Sequence, residues 1–445
     1  MQRQKFLSAM LGGTVARGAT RARAEAASGL SAGEGVADVT PPLGIELAGF
    51  HKPSGQERRV KGIRPPTEVR ALVLTYGPTQ VAVCSLNLTA ICLLATALAG
   101  LMLTPAARAA EVPRPWPTER ANAWYAQQPW LAGCNFLPST AVNDVEMWQA
   151  DSFDAATIER ELGWARDLGF NSVRVFLNYV VWQADADGLK QRFDRFLVIA
   201  NRVGIRAMPV LLDDCNFAGR VAAIGRQPDP VPGVHNSQWV SSPPLAMVTD
   251  QAAWQQLEHY VKDLVGAFAD DRRVVVWDLY NEPGNSGQGA KSQPLMEAAF
   301  TWAREMNPSQ PLTVGAWTDF QSPLSRRMME LSDVVSFHGY DGRGGIEAKL
   351  KTCGEYGRPV LCTEWLFRQG GNRFETLLPL FRDRQIGCYN WGLVAGRTQT
   401  YFHWGSPKDA PEPAVWQHDI LRRDGTPYRE REVATIRYLT GVSKT

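Results

Sequence analysis

From Trp130 onward, short apolar, β-branched runs alternate with amphipathic stretches, and this alternation constrains the fold more than any other feature of the chain. The apolar runs fall at 131–136, 172–177, 206–212, 274–280, 311–316, 333–338, 359–363 and 386–391. Between them, apolar residues recur every three or four positions: Ile158, Leu162, Ala165 and Leu168, then Leu189, Phe193, Phe196, Ala200 and Val203, then Trp254, Leu257, Val261, Leu264 and Phe268. That spacing puts one apolar stripe on each helix, the face an outer helix lays against a parallel sheet. The βαβα alternation predicts an α/β class, and eight strands favour a closed (β/α)8 TIM barrel over a doubly wound sheet. Such a barrel occupies roughly 250 residues, so the 445 of this chain leave a long N-terminal stretch outside it.

That stretch has a different character. Residues 1–30 are basic, carry no acid before Glu25 and include a short apolar run with Ala-rich sites, which reads as a signal-like leader; QRQKFL is a degenerate relative of a twin-arginine signal. A disordered basic tail is the alternative. Residues 36–88 contain strand-like runs at 70–76 and 80–88, and their DVTPP, GF and RRVKGIR segments resemble the opening of neutral ceramidase-type proteins. None of that family's later metal-binding or catalytic segments follows, so 31–90 reads as a truncated fragment of separate origin, and the resemblance implies no activity. From Ala71 to Ala107 there is no charged residue, and 91–111 resembles an internal signal peptide. A membrane span over 88–107 competes with that reading on length, while Pro105 and the small-residue ending favour the signal. The expectation is a secreted or periplasmic catalytic domain over 112–445, touching a membrane only if 88–107 is retained as an anchor.

Composition narrows the partners. A formal charge of +2 with 21% charged residues gives no reason to expect nucleic acid. Fifteen Trp supply stacking faces suited to sugar rings, although many must serve as packing. Seven scattered Cys form no CxxC pattern or disulfide framework, and six separated His show no HExxH spacing. GRGG at 342–345 lacks a nucleotide-binding context, so no cofactor and no metal are expected.

Two carboxylates stand out. VVVWDLYNEPGN places Glu282 at the end of the fourth run, and RPVLCTEWLFR places Glu364 at the end of the seventh. A lone strand-end Glu is commonly a helix cap or an ion-pair partner. Two of them on the C-terminal rim of one barrel suit a retaining glycosidase, whose carboxyls stand about 5–5.5 Å apart. Apolar neighbours Trp277, Tyr280 and Pro283 are expected to raise the pKa of Glu282, making it the proton donor, and Arg174 to keep Glu364 ionised.

Asn281-Glu282-Pro283, Glu364, Arg174 in SVRVFLNY, FHGYD and CYNWGL, in this order, resemble the clan A retaining β-glycoside hydrolases, and family 5 of the cellulase and mannanase type most closely, over about 130–440. The resemblance implies Glu282 as acid/base, Glu364 as nucleophile, Asn281 on the sugar 2-hydroxyl, Arg174 and Tyr340 orienting the nucleophile, His338 lining the catalytic subsite and Trp391 as stacking floor. VLLDDC departs from the family, which often has His there; Asp213 and Asp214 either bind sugar hydroxyls or cap the following loop. The long loop 215–244 adds His235, Asn236 and Trp239 as cleft candidates, and the stretch after the eighth run adds Tyr401, His403 and Trp404.

The expected substrate is a β-linked oligo- or polysaccharide of plant type, cut by an endo-glucanase, xylanase or mannanase type of enzyme. An exo-acting β-glucosidase, β-mannosidase or β-galactosidase on the same barrel is the alternative. A non-catalytic carbohydrate-binding barrel and a ceramidase-like amidohydrolase are the readings of another class.

Overall fold

The protein is described by a computed structural model over residues 30–38, 68–76, 79–86 and 114–442. It divides into two units, Met1–Glu111 and Val112–Thr445. In the first, β1 (Leu30–Asp38), β2 (Glu68–Tyr76) and β3 (Thr79–Leu86) form an antiparallel sheet in the order β1-β2-β3, with Leu30 opposite Tyr76 and Tyr76 opposite Thr79. Of the expected leader over 1–30 all but Leu30 lies outside the described residues, as do the whole of the apolar segment 88–107 and of the signal-like stretch 91–111. Among the described residues no helix is long and apolar enough to cross a membrane.

The second unit is a TIM barrel. Its strands are β4 (Ala132–Asn135), β5 (Ser172–Phe176), β6 (Arg206–Asp213), β7 (Trp277–Asn281), β8 (Leu312–Thr313), β9 (Gly315–Ala316), β10 (Val335–His338), β11 (Val360–Trp365) and β12 (Gly387–Trp391). They pair in parallel in the order β8-β7-β6-β5-β4-β12-β11-β10-β9. The two sheet ends, β8 and β9, are consecutive pieces of one fifth strand, so the ring closes through the backbone at Val314. The expected run 311–316 is therefore broken, and the run expected at 274–280 enters the sheet only at Trp277, after an isolated bridge from Val274 to Ala207.

The apolar stripes do what their spacing requires. Ile158, Leu162 and Ala165 are buried from the helix Ala155–Asp167, Leu189, Phe193, Phe196 and Ala200 from Ala186–Arg202, and Leu257, Val261 and Leu264 from Trp254–Ala267. The starts of the first two are set by side-chain caps, Asp154 accepting from Thr157 N and Asp185 from Gly188 N. Leu131, Met208, Val276, Val334, Leu361 and Tyr389 share a separate apolar cluster with Val275. Elsewhere the strand residues include polar ones, with Ser172 bonded to the Tyr389 hydroxyl at 3.0 Å and Thr313 to Ser336 at 2.8 Å.

Candidate active site

Arg174 organises the mouth. It sits in the middle of β5 rather than at its end, and its side chain is fully buried. Its Nε and Nη2 hold Asp278 Oδ2 of β7 at 2.9 and 2.7 Å, Nη1 donates to Asn135 Oδ1 of β4 and Glu364 Oε1 of β11 at 2.8 Å each, and Nη2 reaches Asn281 Oδ1 at 2.8 Å. A guanidinium tolerates such burial only when its donors are met, and here four residues from three strands meet them.

Glu364 lies one residue before the end of β11. Its second oxygen accepts the Tyr340 hydroxyl at 2.7 Å. Glu282 follows β7 directly, at φ 45°, a left-handed conformation uncommon for a side-chain-bearing residue. The turn is braced from below by Asp214, which accepts the Tyr280 hydroxyl at 2.6 Å, Gly284 N at 2.7 Å and Ser292 Oγ at 2.5 Å. Gly284 has φ 94°, and a Cβ there would stand 2.8 Å from Gly289 O. Around the Glu282 carboxyl are Cys215 Sγ at 3.3 Å, Asn285 Nδ2 at 2.6 Å and His338 Nδ1 at 2.7 Å. Trp277 and Tyr280 face away instead, their polar atoms meeting Gln310 and Asp214, so sequence adjacency misidentified the environment of Glu282.

Burial pushes both carboxyls above their ordinary value. At Glu364 the His338 ring, the Arg174 charge and the Tyr340 hydroxyl oppose that push while the Glu282 carboxylate adds to it; at Glu282 the hydrogen bonds from Cys215 and Asn285 and the more distant Arg174 charge oppose it. Burial also drives His338 down to about 4, so its imidazole is neutral at neutral pH. One ligand-capable atom each of Glu282, His338 and Glu364 lies within 4.8 Å of the others. Among the described residues these are the ones that could hold a cation, but the Arg174 guanidinium, bonded to Glu364, would repel one.

The pair opens into a cavity of about 930 Å³, in the range of ligand sites. Asn281, His338, Tyr340, His235, Asn236, Trp239, Trp391 and Trp404 line it together with both glutamates. Asp213 and Asp214 do not. Asp213 is buried under the rim, accepting from Trp239 Nε1 at 2.7 Å, Asn281 Nδ2 at 2.8 Å and Cys215 N at 2.8 Å. Tyr401 packs on Trp416, and His403 bonds Gln369 and Val415 O; neither lines the cavity. The sequence reading did not include Asn135, Asp278, Cys215, Asn285 or Trp317, the last of which lines the cavity with its indole on Pro283 O at 3.0 Å. A polar residue interrupting an apolar strand was the only signal for Asn135 and Asp278.

A parallel barrel presenting two glutamates on its C-terminal rim is an architecture of glycosidases. Residues 139–396 match the family described as cellulase (glycosyl hydrolase family 5), and the chain belongs to that family and is a glycosidase. Among solved structures it is similar to the exo-β-1,4-mannosidase Op5Man5 from Opitutaceae bacterium strain TAV5, at 16% identity and a TM-score of 0.50, over 70% of this chain and 60% of that one. The chain thus spans less than two thirds of that mannosidase. It is also similar to GH5_18 from Streptomyces cattleya in complex with GlcNAc, at 13% identity and a TM-score of 0.50, covering 71% of this chain and 81% of that one. No curated protein sequence matches it.

Proposed function

We propose that this glycosidase cleaves β-linked oligo- or polysaccharides with retention of anomeric configuration, Glu364 acting as nucleophile and Glu282 as acid/base. The observation carrying this is the approach of the two carboxyls: an oxygen of each lies within 4.8 Å of the other. Retaining enzymes place these groups about 5–5.5 Å apart, inverting ones about 6.5–9.5 Å to admit a water.

In the first step a Glu364 oxygen bonds to the anomeric carbon as the glycosidic C–O bond breaks, and the Glu282 proton passes to the departing oxygen. In the second, Glu282 takes a proton from water, whose oxygen bonds to the anomeric carbon while the bond to Glu364 breaks and its carboxylate is regenerated. Asn281, held by Arg174 and Asp213, is placed for the sugar 2-hydroxyl, and Trp391 offers its face to the apolar side of the ring. The leader-like composition of residues 1–30 supports export to the periplasm or the medium, with membrane contact only through a retained 88–107.

Hydrolysis of aryl β-glucosides, β-mannosides, β-galactosides and β-xylosides, followed by NMR of the first-formed anomer, tests the proposal. Glu364→Gln is expected to lose at least about 10³-fold in turnover with an unchanged circular dichroism spectrum. A near wild-type rate, or an inverted first product, would remove Glu364 from the nucleophile role.

A further inference from the structure

The loop after β6 and the loop after β12 are joined to each other. Asn236 N donates to Thr398 O at 2.8 Å, Asp409 N to Pro232 O at 2.7 Å, Gln399 Nε2 to Val231 O at 2.7 Å, and Gly233 N to Gln399 Oε1 at 3.0 Å. His235 Nδ1 meets Phe402 O at 2.9 Å. Between β6 and β12 in the sheet stand β5 and β4, so the joined loops form a strap across that side of the mouth. The strap is anchored to the loop after β4 by Asn143 Nδ2 on Gln238 O and by Arg397 N on Ser139 O, both at 3.0 Å. Past β12, His418 Nδ1 on Leu366 O at 2.5 Å ties it to the loop after β11.

Chemistry fixes which half of a substrate meets this strap. The anomeric carbon must sit against Glu364 and the glycosidic oxygen against Glu282, so a sugar ring stacked on Trp391 of β12 extends away from Glu282, toward the strap. Trp239 stands there at 70° to Trp391, with ring centroids 5.8 Å apart, an upright end wall beside the floor. The leaving group lies on the other side of Glu282, toward Asn285 and Trp317.

Resting on the catalytic roles proposed above, we infer that the strap of residues 231–239 and 396–410 closes the glycone side after one ring, making this an exo-acting enzyme that removes single sugars from the non-reducing end of β-linked chains. Because Nδ1 of His235 faces a carbonyl it carries the ring proton, and Nε2 is left as an acceptor for a hydroxyl of the terminal sugar.

The test uses the full chain with reducing-end-labelled β-1,4-linked tetrasaccharides of mannose, glucose and xylose, alongside the aryl β-glycosides. Stepwise shortening of the labelled product by one sugar, tetramer to trimer to dimer, is the expected result. Early internal cleavage, or removal of two sugars at a time, would overturn exo action by single residues while leaving the retaining mechanism standing. Absence of turnover on every substrate, aryl glycosides included, would instead refute the catalytic assignment and this inference with it. Trp239→Ala lowers the end wall and is expected to introduce disaccharide among the first products; a correctly folded variant with an unchanged product pattern would also count against the strap.

Discussion

Replacing Tyr340 by Phe removes one atom from the nucleophile's surroundings. The hydroxyl donates to Glu364 Oε2 at 2.7 Å while Arg174 holds the other oxygen at 2.8 Å, so the carboxylate keeps its ion pair and loses a single hydrogen bond. Burial, then the two carboxylates, hold the Tyr340 hydroxyl well above its ordinary pKa, so it remains a donor throughout the working range. Its ring meets the Trp404 edge-on at 4.9 Å, a contact Phe preserves. A hydrogen bond to a charged group is worth about 1.5–3 kcal/mol, equivalent to about 1–2 pKa units. The sign follows from what the bond does: it lowers the pKa of Glu364 against the upward push of burial, so its loss raises that pKa further. As pH falls, the ionised nucleophile disappears earlier, and the acid limb of kcat/KM moves about 1–2 units to higher pH. The alkaline limb, set by Glu282, stays in place. Ionising Glu364 becomes less favourable in the folded variant, so its Tm deficit relative to wild type widens as pH rises from 4 to 7. An acid limb displaced by less than about 0.3 unit, or about 0.4 kcal/mol, would show that Tyr340 does not govern the ionisation of Glu364.

Glu282→Ala should lose most activity on substrates with poor leaving groups and be partly rescued by azide; equal loss on activated and unactivated aglycones without rescue would count against its acid/base role. Cys215→Ala removes the thiol that lowers the pKa of Glu282, so the alkaline limb should move up by less than about 1 unit, while Cys215→Ser, which keeps a donor, should stay near wild type; identical profiles for both variants would dismiss the contact. Glu432→Gln breaks a buried pair with Arg368, held at 2.7 and 2.9 Å, and at about 3–5 kcal/mol should lower Tm by roughly 4–7 °C; a shift under about 2 °C would mean the bonds from Arg368 to the carbonyls of residues 416–419 suffice alone.

The barrel was legible because burial on both faces of a parallel sheet leaves continuous apolar runs that need no knowledge of tertiary contacts. The break at Val314 was not, since β8 and β9 are parted by another apolar residue. Glu282 and Glu364 stood out as carboxylates at the ends of such runs. Arg174 was visible as a charge inside such a run, but its partners Asn135 and Asp278 lie 39 and 104 residues away and are joined to it only by barrel closure. Asp213 and Asp214 show the limit most clearly. Adjacent in sequence, they brace different things: Asp213 holds Asn281 and Trp239, and Asp214 the turn that carries Glu282. Which neighbour a side chain meets depends on the face it takes, and a single polar pair in a strand carries no period from which to read it.

The Arg174 cluster has an implication for how this protein can drift. Asp278 by itself balances the buried guanidinium, so ionised Glu364 leaves this three-residue cluster with one negative charge in excess. Burial already disfavours that ionised form. Replacement of Glu364 by a neutral amide of the same shape therefore relieves the fold, and the inactive Glu364→Gln protein is expected to melt at a higher temperature than the active one at neutral pH. Selection for robustness and selection for turnover pull in opposite directions at this position, and a lineage released from the need to cut sugar would have an easy downhill path toward a sturdier barrel that only binds it.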